Sequence, residues 1–415
     1  MPAHPRLTVA ALALLACGCG DSDPASLDGG ATSGDAAIGT EADAGVFPTE
    51  LDCAAVTNYP AGSNVLEVGP GKTYATPSAA AAVAVDGDVV EIAAGEYTND
   101  FATWSQNNLT LRGVGGFAHL RATELVSNGK GIWVVRGDNV RIENIEFSGA
   151  KVNDENGAGI RAEGTGLSIC NGYFHGNENG ILGGAGEVLV EYSEFDHNGV
   201  GGVGQTHNMY INEATTKFTL RHSYSHHAEV GHNVKTRAQE NHILYNRIMD
   251  EADGNSSYAI DFSNGGLSYV VGNLLQQSPQ ADNSTMLRYG AEGLGDARTN
   301  ELYVVNNTFV NDRGSGNFVV TAAPAILINN LFVGGGEMLT GEGTTTTNLE
   351  AAGGLADRVN FDYHLTADSE AIGAGSDPGS DGDFALSPTH QYVHPIWAEP
   401  RPDDGQLDIG AYEAE

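Results

Sequence analysis

VRIENIEFSGA, residues 140–150, and LYVVNNTFVND, residues 302–312, are two copies of one phrase: a short apolar strand, a polar step, an aromatic residue and a turn. Further copies follow mostly at intervals in the twenties of residues, as LSICNGYFHGN, VLVEYSEFDHN, FTLRHSYSHHA, HILYNRIMDEA, YVVGNLLQQSP and AILINNLFVGG. The apolar slot of the phrase is filled by Phe147, Phe174, Phe195, Ile248, Leu275, Phe309 and Phe332. Such self-similarity is typical of repeat architectures, in which each unit contacts only its neighbours.

The repeated phrase predicts a solenoid of stacked coils. Its strands are short, no helical periodicity accompanies them, and 56 of the 415 residues are glycine. A single coil cannot close a core, whereas coils stacked at the strand spacing of ~4.8 Å share one continuous interior. We expect four repeated asparagines to form an internal amide ladder: Asn246, Asn273, Asn307 and Asn330. A β-sandwich, the alternative all-β fold, requires regular hairpin signals, and these are scarce.

Both ends of the repeat carry family-like segments. VGPGKTYATPSAAAAVAVDGDVVEIAAGEYTN (68–99) resembles the opening segment of the pectate-lyase-like superfamily, and FDYHLTADSEAIGAGSD (361–377) and GQLDIGAYE (405–413) resemble its closing segments. The resemblance implies an all-β, single-stranded right-handed parallel β-helix over residues 62–415, with a short N-terminal capping helix around Ser78–Val85. This fold hosts lyases, hydrolases, epimerases and binding proteins, so it does not decide the activity.

The first 61 residues indicate export. Arg6 and the apolar run LTVAALALLA (7–16) form a signal peptide, and LLAC (14–17) resembles a bacterial lipobox. That resemblance implies cleavage before Cys17 and its acylation; a plain secretory signal cut near Ala16 is the alternative. Residues 18–61 are rich in small and polar residues and predict a disordered tether. We expect a lipid anchor at the cell envelope, in the outer membrane because Gly18 rather than Asp follows Cys17.

Three further cysteines, Cys19, Cys53 and Cys170, form no CxxC pair. Cys170 lies within a strand pattern and is expected to be a small buried residue. A Cys53–Cys170 disulfide fits an oxidising compartment, but nothing in the sequence requires it.

The charge distribution points to a site. The chain has 19 Lys+Arg against 54 Asp+Glu, a net charge of −35, and only five lysines. Yet Lys235 and Arg237 stand two residues apart in GHNVKTR (231–237), close to several histidines. Cations gathered in so acidic a chain indicate a bound anion. We expect an acidic polysaccharide as partner, no nucleic acid, and a monomeric protein.

Aligned strands place these cations in one column. We align GIRAE (159–163), GILGG (180–184), NMYIN (208–212), NVKTR (233–237), AIDFS (259–263) and MLRYG (286–290). Because side chains alternate along a strand, the central apolar residues point inward: Ile160, Ile181, Met209, Val234, Ile260 and Leu287. The outward column then contains Arg161, Leu182, Tyr210, Lys235, Asp261 and Arg288. His207 and His232 share one offset and should stack beside it.

This column fits uronate β-elimination, which neutralises the C6 carboxylate, removes the C5 proton and protonates the O4 leaving group. Arg237 is the candidate for the carboxylate. Lys235 is the candidate base, with its pKa lowered from ~10.4 by the neighbouring cations and histidines. Tyr210 or His207 would be the acid or an alternative base. The remaining candidates would bind or position the sugar: Asn208, Asn212, His232, Asp261 and Arg288.

The VKT of 234–236 resembles the VKS pattern of the alginate lyase and chondroitinase B family, whose arginine lies on a later rung. Asp261 or Arg288 matches that position, which leaves the acid unassigned. The resemblance also implies calcium as a cofactor. Its candidate ligands are Glu213, Glu229, Glu240 and residues 250–255, although the sequence favours a solvated acidic turn over a calcium site.

Three other hypotheses remain. GHNVKTR resembles a rung of the mannuronan epimerases, but their Asp-Pro-His-Asp motif is absent. The paired aspartates of galacturonan hydrolases are absent too. A non-catalytic glycan-binding lipoprotein is the rival from another class, with Lys235 and Asp261 as a purely structural ion pair. The pair His226–His227 is expected in an exposed turn.

Overall fold

The computed structural model describes residues 63–200, 206–295 and 298–414. The predicted signal peptide, Cys17 and the tether lie outside these residues. Within them, no helix has the length and apolar character needed to cross a membrane.

The described residues form one α-helix, one 3₁₀ helix (Arg358–Asn360) and 35 strands. The first part of the chain contains β1 (Val65–Val68), α1 (Pro77–Ala81), β2 (Val89–Thr98), β3 (Ala102–Trp104), β4 (Thr110–Arg121), β5 (Gly131–Val135), β6 (Val140–Ser148), β7 (Ala158–Ala162), β8 (Leu167–His175), β9 (Asn179–Gly183), β10 (Gly186–Glu191), β11 (Glu194–Asp196), β12 (Met209–Ile211), β13 (Thr215–Arg221), β14 (Tyr224–His226), β15 (Val234–Thr236), β16 (Glu240–Leu244) and β17 (Arg247–Met249). The second part contains β18 (Ile260–Phe262), β19 (Leu267–Val271), β20 (Leu274–Gln277), β21 (Thr285–Tyr289), β22 (Leu302–Val305), β23 (Thr308–Asn311), β24 (Asn317–Thr321), β25 (Ala325–Ile328), β26 (Leu331–Gly334), β27 (Glu337–Thr340), β28 (Gly343–Thr346), β29 (Leu349–Ala351), β30 (Leu355–Asp357), β31 (Asp362–Leu365), β32 (Ser380–Asp381), β33 (Phe384–Ala385), β34 (His390–Val393) and β35 (Trp397–Pro400).

The strands up to β29 stack as parallel coils. From β9 onward each coil contributes one strand to a ten-stranded sheet and two to a nineteen-stranded sheet. In the earlier coils one long strand takes the place of those two, so β8 pairs with both β10 and β11. The remaining strands form three antiparallel hairpins near the C-terminus. The predicted parallel β-helix is confirmed.

A left-handed residue turns the chain within the larger sheet, inside the long strands of the early coils and between the two strands of the later ones. The φ angles of Asn144, Asn171 and Asn306 are 56°, 53° and 50°. Asparagine tolerates this conformation better than most residues do. The repeated polar step in the sequence is therefore the corner of the coil.

The residue after this corner forms the predicted amide ladder. The Nδ2 of Asn246 donates to Oδ1 of Asn273 at 3.0 Å, and the same contact continues through the next coils. The ladder contains Asn246, Asn273, Asn307, Asn330 and Asn348. Its members up to Asn330 are fully buried, so each amide is satisfied without water. We call this set the corner ladder.

A second ladder, which the aligned strands did not predict, lies in the connections that lead from the larger sheet to the ten-stranded sheet. Asn177 donates to Asn198 at 2.9 Å, Asn198 to Asn208 at 3.0 Å and Asn208 to Asn233 at 3.0 Å. Asn233 then donates to Oδ1 of Asp250 at 3.0 Å. We call this set the edge ladder.

Aromatic rings fill the interior beside the ladders. Phe147, Phe174 and Phe195 stack with ring centroids 5.1 and 4.7 Å apart, and Phe309 stacks on Phe332 at 5.0 Å. In the coil after Phe195 the slot holds the buried Ser225 instead, paired in register with Phe195. Serine therefore interrupts the predicted apolar slot.

The bounds of the capping helix need correction, and the question of a disulfide at Cys170 is answered. The capping helix is Pro77–Ala81, shorter than Ser78–Val85: Thr76 caps it and Pro77 starts it, while Val83 and Val85 beyond it are exposed. Cys170 is buried as expected but is also disulfide-bonded. The other three cysteines precede residue 63, so its partner lies outside the described residues.

Candidate functional site

The predicted column forms in the predicted register. Along the ten-stranded sheet Arg161 pairs with Leu182, Leu182 with Tyr210, Tyr210 with Lys235, Lys235 with Asp261 and Asp261 with Arg288. The six apolar residues expected to point inward are all fully buried. These buried residues determine which side chains of the strands point outward, because a shift of the strand register by one residue would expose them to solvent.

A cleft of about 460 Å³ opens over the middle of this column. It is lined by Asp154, Glu155, Asn156, His207, Tyr210, Lys235, Arg237 and Glu292. The Lys235 ammonium lies 5.4 Å and the Arg237 guanidinium 5.1 Å from the centroid of the Tyr210 ring. Both cations therefore make cation–π contacts with Tyr210.

Glu292 binds both cations at once. Lys235 Nζ donates to Glu292 Oε1 at 2.9 Å, and Arg237 Nη2 donates to Glu292 Oε2. Burial opposes ionisation of Glu292, but the hydrogen bonds and charges of Lys235 and Arg237 outweigh it and lower the pKa of this carboxyl. The two cations are thus spaced to hold the two oxygens of one carboxylate.

Asp261 lies beneath Lys235. It is 1 % exposed, and its Oδ2 accepts from Ser263 at 2.6 Å and lies 3.8 Å from Lys235 Nζ. Its Oδ1 is buried with no hydrogen-bond partner among the described residues. Burial raises the pKa of Asp261, although Ser263 and Lys235 oppose the rise. Asp261 pairs with Lys235 and, unlike His207, does not line the cleft, so the prediction that it binds the sugar is wrong.

His207 and His232 stack as predicted, with ring centroids 4.7 Å apart. The Nδ1 of His207 accepts the backbone N–H of His232 at 3.0 Å, and the Nδ1 of His232 accepts that of Tyr258 at 3.3 Å. A ring nitrogen that accepts an N–H carries no proton, so both neutral rings hold their proton on Nε2.

Both imidazoles stay neutral. Burial, with a smaller contribution from His232 and Lys235, lowers the pKa of His207 well below its usual value. Burial, followed by Lys235, lowers the pKa of His232 to about 3. His207 can therefore offer a ligand an N–H hydrogen bond but does not supply an imidazolium as general acid. Burial also raises the pKa of Tyr210, against the opposing charge of Arg237, so the hydroxyl stays protonated near neutral pH.

Three other predicted residues stand apart from the cleft. Asn208 is fully buried in the edge ladder, so the prediction that it positions a sugar is wrong. Asn212 is exposed, with its Oδ1 accepting from the Ala214 backbone at 3.3 Å. Arg288 continues the column one coil beyond Asp261 and does not line the cleft.

The residues suggested for calcium do not fit such a site. Within the described residues no three of these carboxylates converge. Glu240 binds His242 at 2.6 Å, and the buried Asp250 accepts from Asn233 and Ser256. Glu251 accepts from the hydroxyl of Tyr224. These carboxylates are used internally, and no reaction step is assigned to calcium.

The sequence alignment missed two parts of the cleft. Glu292 follows β21 and reaches back across two coils to Lys235, and residues 154–156 form a rim from an earlier loop. Both come from turns of irregular length, where the strand alignment gives no register. The only available signal for Glu292 was its place two residues after the aligned strand MLRYG.

Similarity to known proteins confirms the architecture. No protein-family model matches this sequence, and no curated protein matches it. Among solved structures, the chain is similar to the crystal structure of pectate lyase Pel9A, with a TM-score of 0.55 and 14% sequence identity. The match covers 85% of this chain and 98% of that chain. The protein is a right-handed parallel β-helix, and at this identity the likeness is one of fold.

Proposed function

We propose that the protein is a lyase that cleaves a uronate-containing polysaccharide by β-elimination. The proposal rests on one observation: Lys235 and Arg237 each donate a hydrogen bond to one of the two oxygens of the Glu292 carboxylate. A uronate carboxylate has the same shape and charge. A substrate that displaces Glu292 would therefore meet a ready binding geometry over the Tyr210 ring, with the neutral His207 as a nearby donor.

The proposed reaction assigns one role to each group. Arg237 holds the substrate carboxylate and stabilises the enolate-like transition state. As the substrate displaces Glu292, Lys235 first loses its ammonium proton to solvent, and the neutral amine then takes the C5 proton. The C5–H electrons form the C4=C5 double bond as the C4–O4 bond breaks, and Tyr210 donates its hydroxyl proton to O4.

A panel of polymers tests the reaction class. Pectate, alginate, glucuronan and glycosaminoglycans are incubated with the purified protein, and ultraviolet absorbance of unsaturated ends is followed. Absorbance that grows with time on any of them supports the lyase. Inverted sugar configuration without such absorbance identifies a C5-epimerase, since both reactions begin with removal of the C5 proton.

A non-catalytic glycan-binding protein is the second candidate. Two observations favour it: Lys235 is already paired with Asp261 and Glu292, and the cleft rim carries Asp154 and Glu155, whose charges oppose an anion. Retention of a polymer in a binding assay with neither unsaturated ends nor inversion would identify this function and refute the lyase.

Glu292→Gln should raise affinity for the acidic substrate. The substitution removes the internal carboxylate that competes for the two cations, and hydrogen bonds to charged groups are worth about 1.5–3 kcal/mol. We expect KM to fall by roughly tenfold, since 1.4 kcal/mol corresponds to a factor of ten. Steady-state kinetics measures this, with the exposed Glu350→Gln as control. A rise in KM would mean that Glu292 helps to bind the substrate instead of competing with it.

We also propose export and lipid anchoring at the outer membrane. The LLAC lipobox supports the anchor, and the disulfide at Cys170 fits an oxidising compartment. Cys17→Ser should move the protein from the membrane fraction to the soluble fraction with its β-structure unchanged by circular dichroism. Continued membrane association of this variant would refute the anchor.

A further inference from the structure

Four side chains capable of binding a metal meet where β11 and β14 end, in two consecutive coils. They are Asp196, His197, His226 and His227, here called the His226 cluster. The two strands pair in register, so Asp196 lies directly beside His226, and the rings of His197 and His227 stack 4.7 Å apart. His226 and His227 are both 8 % exposed. The prediction that this histidine pair lies in an exposed turn is wrong.

The ligand atoms of the cluster converge. His226 Nδ1 lies 2.7 Å from His227 Nδ1 and 3.4 Å from Asp196 Oδ1, and Asp196 Oδ1 also contacts His197 Nδ1. One ligand atom each from Asp196, His197 and His227 lie within 4.8 Å of one another. In a tetrahedral zinc site with metal–ligand bonds of about 2.0–2.1 Å the ligand atoms are roughly 3.4 Å apart. His226 is outside that group of three, but its Nδ1 has this spacing to Asp196 Oδ1. The two Nδ1 atoms, and the contact between Asp196 and His197, would have to open slightly to admit a metal.

Carboxylates also lie against the outer nitrogens of the two buried rings. Glu194 Oε1 lies 3.3 Å from His226 Nε2, and Asp253 Oδ1 lies 3.3 Å from His227 Nε2. Such contacts favour a proton on each Nε2 and leave the Nδ1 lone pairs facing one another. Metal-binding histidines commonly donate their other ring N–H to a carboxylate in this way.

We propose that the His226 cluster binds a divalent transition metal of the zinc class through three imidazole nitrogens and one carboxylate oxygen. His226 Nδ1 and His227 Nδ1, 2.7 Å apart, can share one proton, and a cation bound to both nitrogens would take the place of that proton. Imidazole suits zinc and its neighbours, whereas calcium and magnesium prefer sites made of oxygen. His197 is the most exposed member, so the metal can enter from its side.

The metal would join two coils. Asp196 and His197 belong to one coil, and His226 and His227 to the next. In a solenoid each coil is stabilised mainly by its neighbours, so a bond between coils raises the stability of the folded chain when the metal is present.

A second histidine cluster provides the matched control. His119, Glu146 and His175 also converge, but they offer two imidazoles instead of three, and His119 also contacts a serine hydroxyl. His119 Nε2 contacts Ser148 Oγ at 2.7 Å, and His175 Nε2 contacts Glu146 Oε1 at 2.9 Å.

The test is a titration of metal-depleted protein with Zn²⁺ in competition with a chromogenic chelator. We expect the wild type and His175→Gln to take up one tight equivalent, and His226→Gln/His227→Gln to lose affinity by more than about 100-fold. Zn²⁺ should raise the Tm of the wild type, and equal concentrations of Ca²⁺ and Mg²⁺ should not. Equal Zn²⁺ affinity in the double variant would overturn the proposal. No tight uptake by the wild type would overturn it too and would mean that a proton joins His226 Nδ1 and His227 Nδ1.

X-ray absorption of the zinc-loaded wild type keeps the proposal testable if the double variant does not fold. We expect about three imidazoles and one oxygen around the metal. A zinc shell of oxygen atoms alone would refute the assignment.

Discussion

Lys235→Ala should lower kcat by roughly 10²–10⁴-fold on the uronan that the wild type cleaves, which is the usual contribution of a positioned general base. KM should change far less, because Arg237 still binds the carboxylate. Steady-state rates of double-bond formation measure both constants. The control is Lys217→Ala, which removes a lysine that pairs with Glu240 on the larger sheet, away from the cleft.

A melting curve separates the catalytic role from a structural one. Asp261 keeps its hydrogen bond from Ser263 when Lys235 is removed, so we expect only a small change in Tm. Wild-type turnover in Lys235→Ala would transfer the role of base to Tyr210. Lost turnover together with a much lower Tm would show that the Lys235–Asp261 pair is structural and would favour the binding protein.

Phe174→Ala should destabilise the folded chain by about 3–5 kcal/mol. Its ring is fully buried between Phe147 and Phe195 and stacks on both, so truncation leaves a cavity and removes two ring contacts. Chemical denaturation followed by circular dichroism measures the loss.

Val359→Ala serves as the control for this prediction. Val359 is 83 % exposed, and exposed substitutions usually change stability by less than about 0.5 kcal/mol. Equal effects of the two substitutions would mean that the phenylalanine stack does not stabilise the coils. If the denaturation curve of Phe174→Ala splits into two transitions, the coils around Phe174 unfold separately from the rest, as coils of a solenoid can.

The sequence predicted the coils and the outward column because strand residues obey a period of two. Once Met209 and Val234 are placed inward, Tyr210 and Lys235 must point outward on adjacent strands. The corner ladder was predictable for the same reason, because its asparagines recur at one position of the repeat.

The same rule failed where the strands end. Asn208 immediately precedes β12, and its backbone belongs to a turn, so alternation does not determine its direction. His227, which follows β14 with a φ of 52°, was misplaced for the same reason. Glu292 reaches Lys235 from a loop two coils away, and the repeat sets neither the length nor the path of such loops.

The side-chain amides of the edge ladder point the same way along the stack and give it a net dipole. Each amide from Asn177 to Asn233 donates toward the C-terminal end of the stack, so the side-chain dipoles align and add, as peptide dipoles do in an α-helix. The positive end of this row meets the buried carboxylate of Asp250. An added coil with asparagine at this position would lengthen the row and leave no amide unpaired. A coil inserted in the reverse orientation would place one amide N–H group against another. The stack can therefore grow or shrink by whole coils, but only with one polarity.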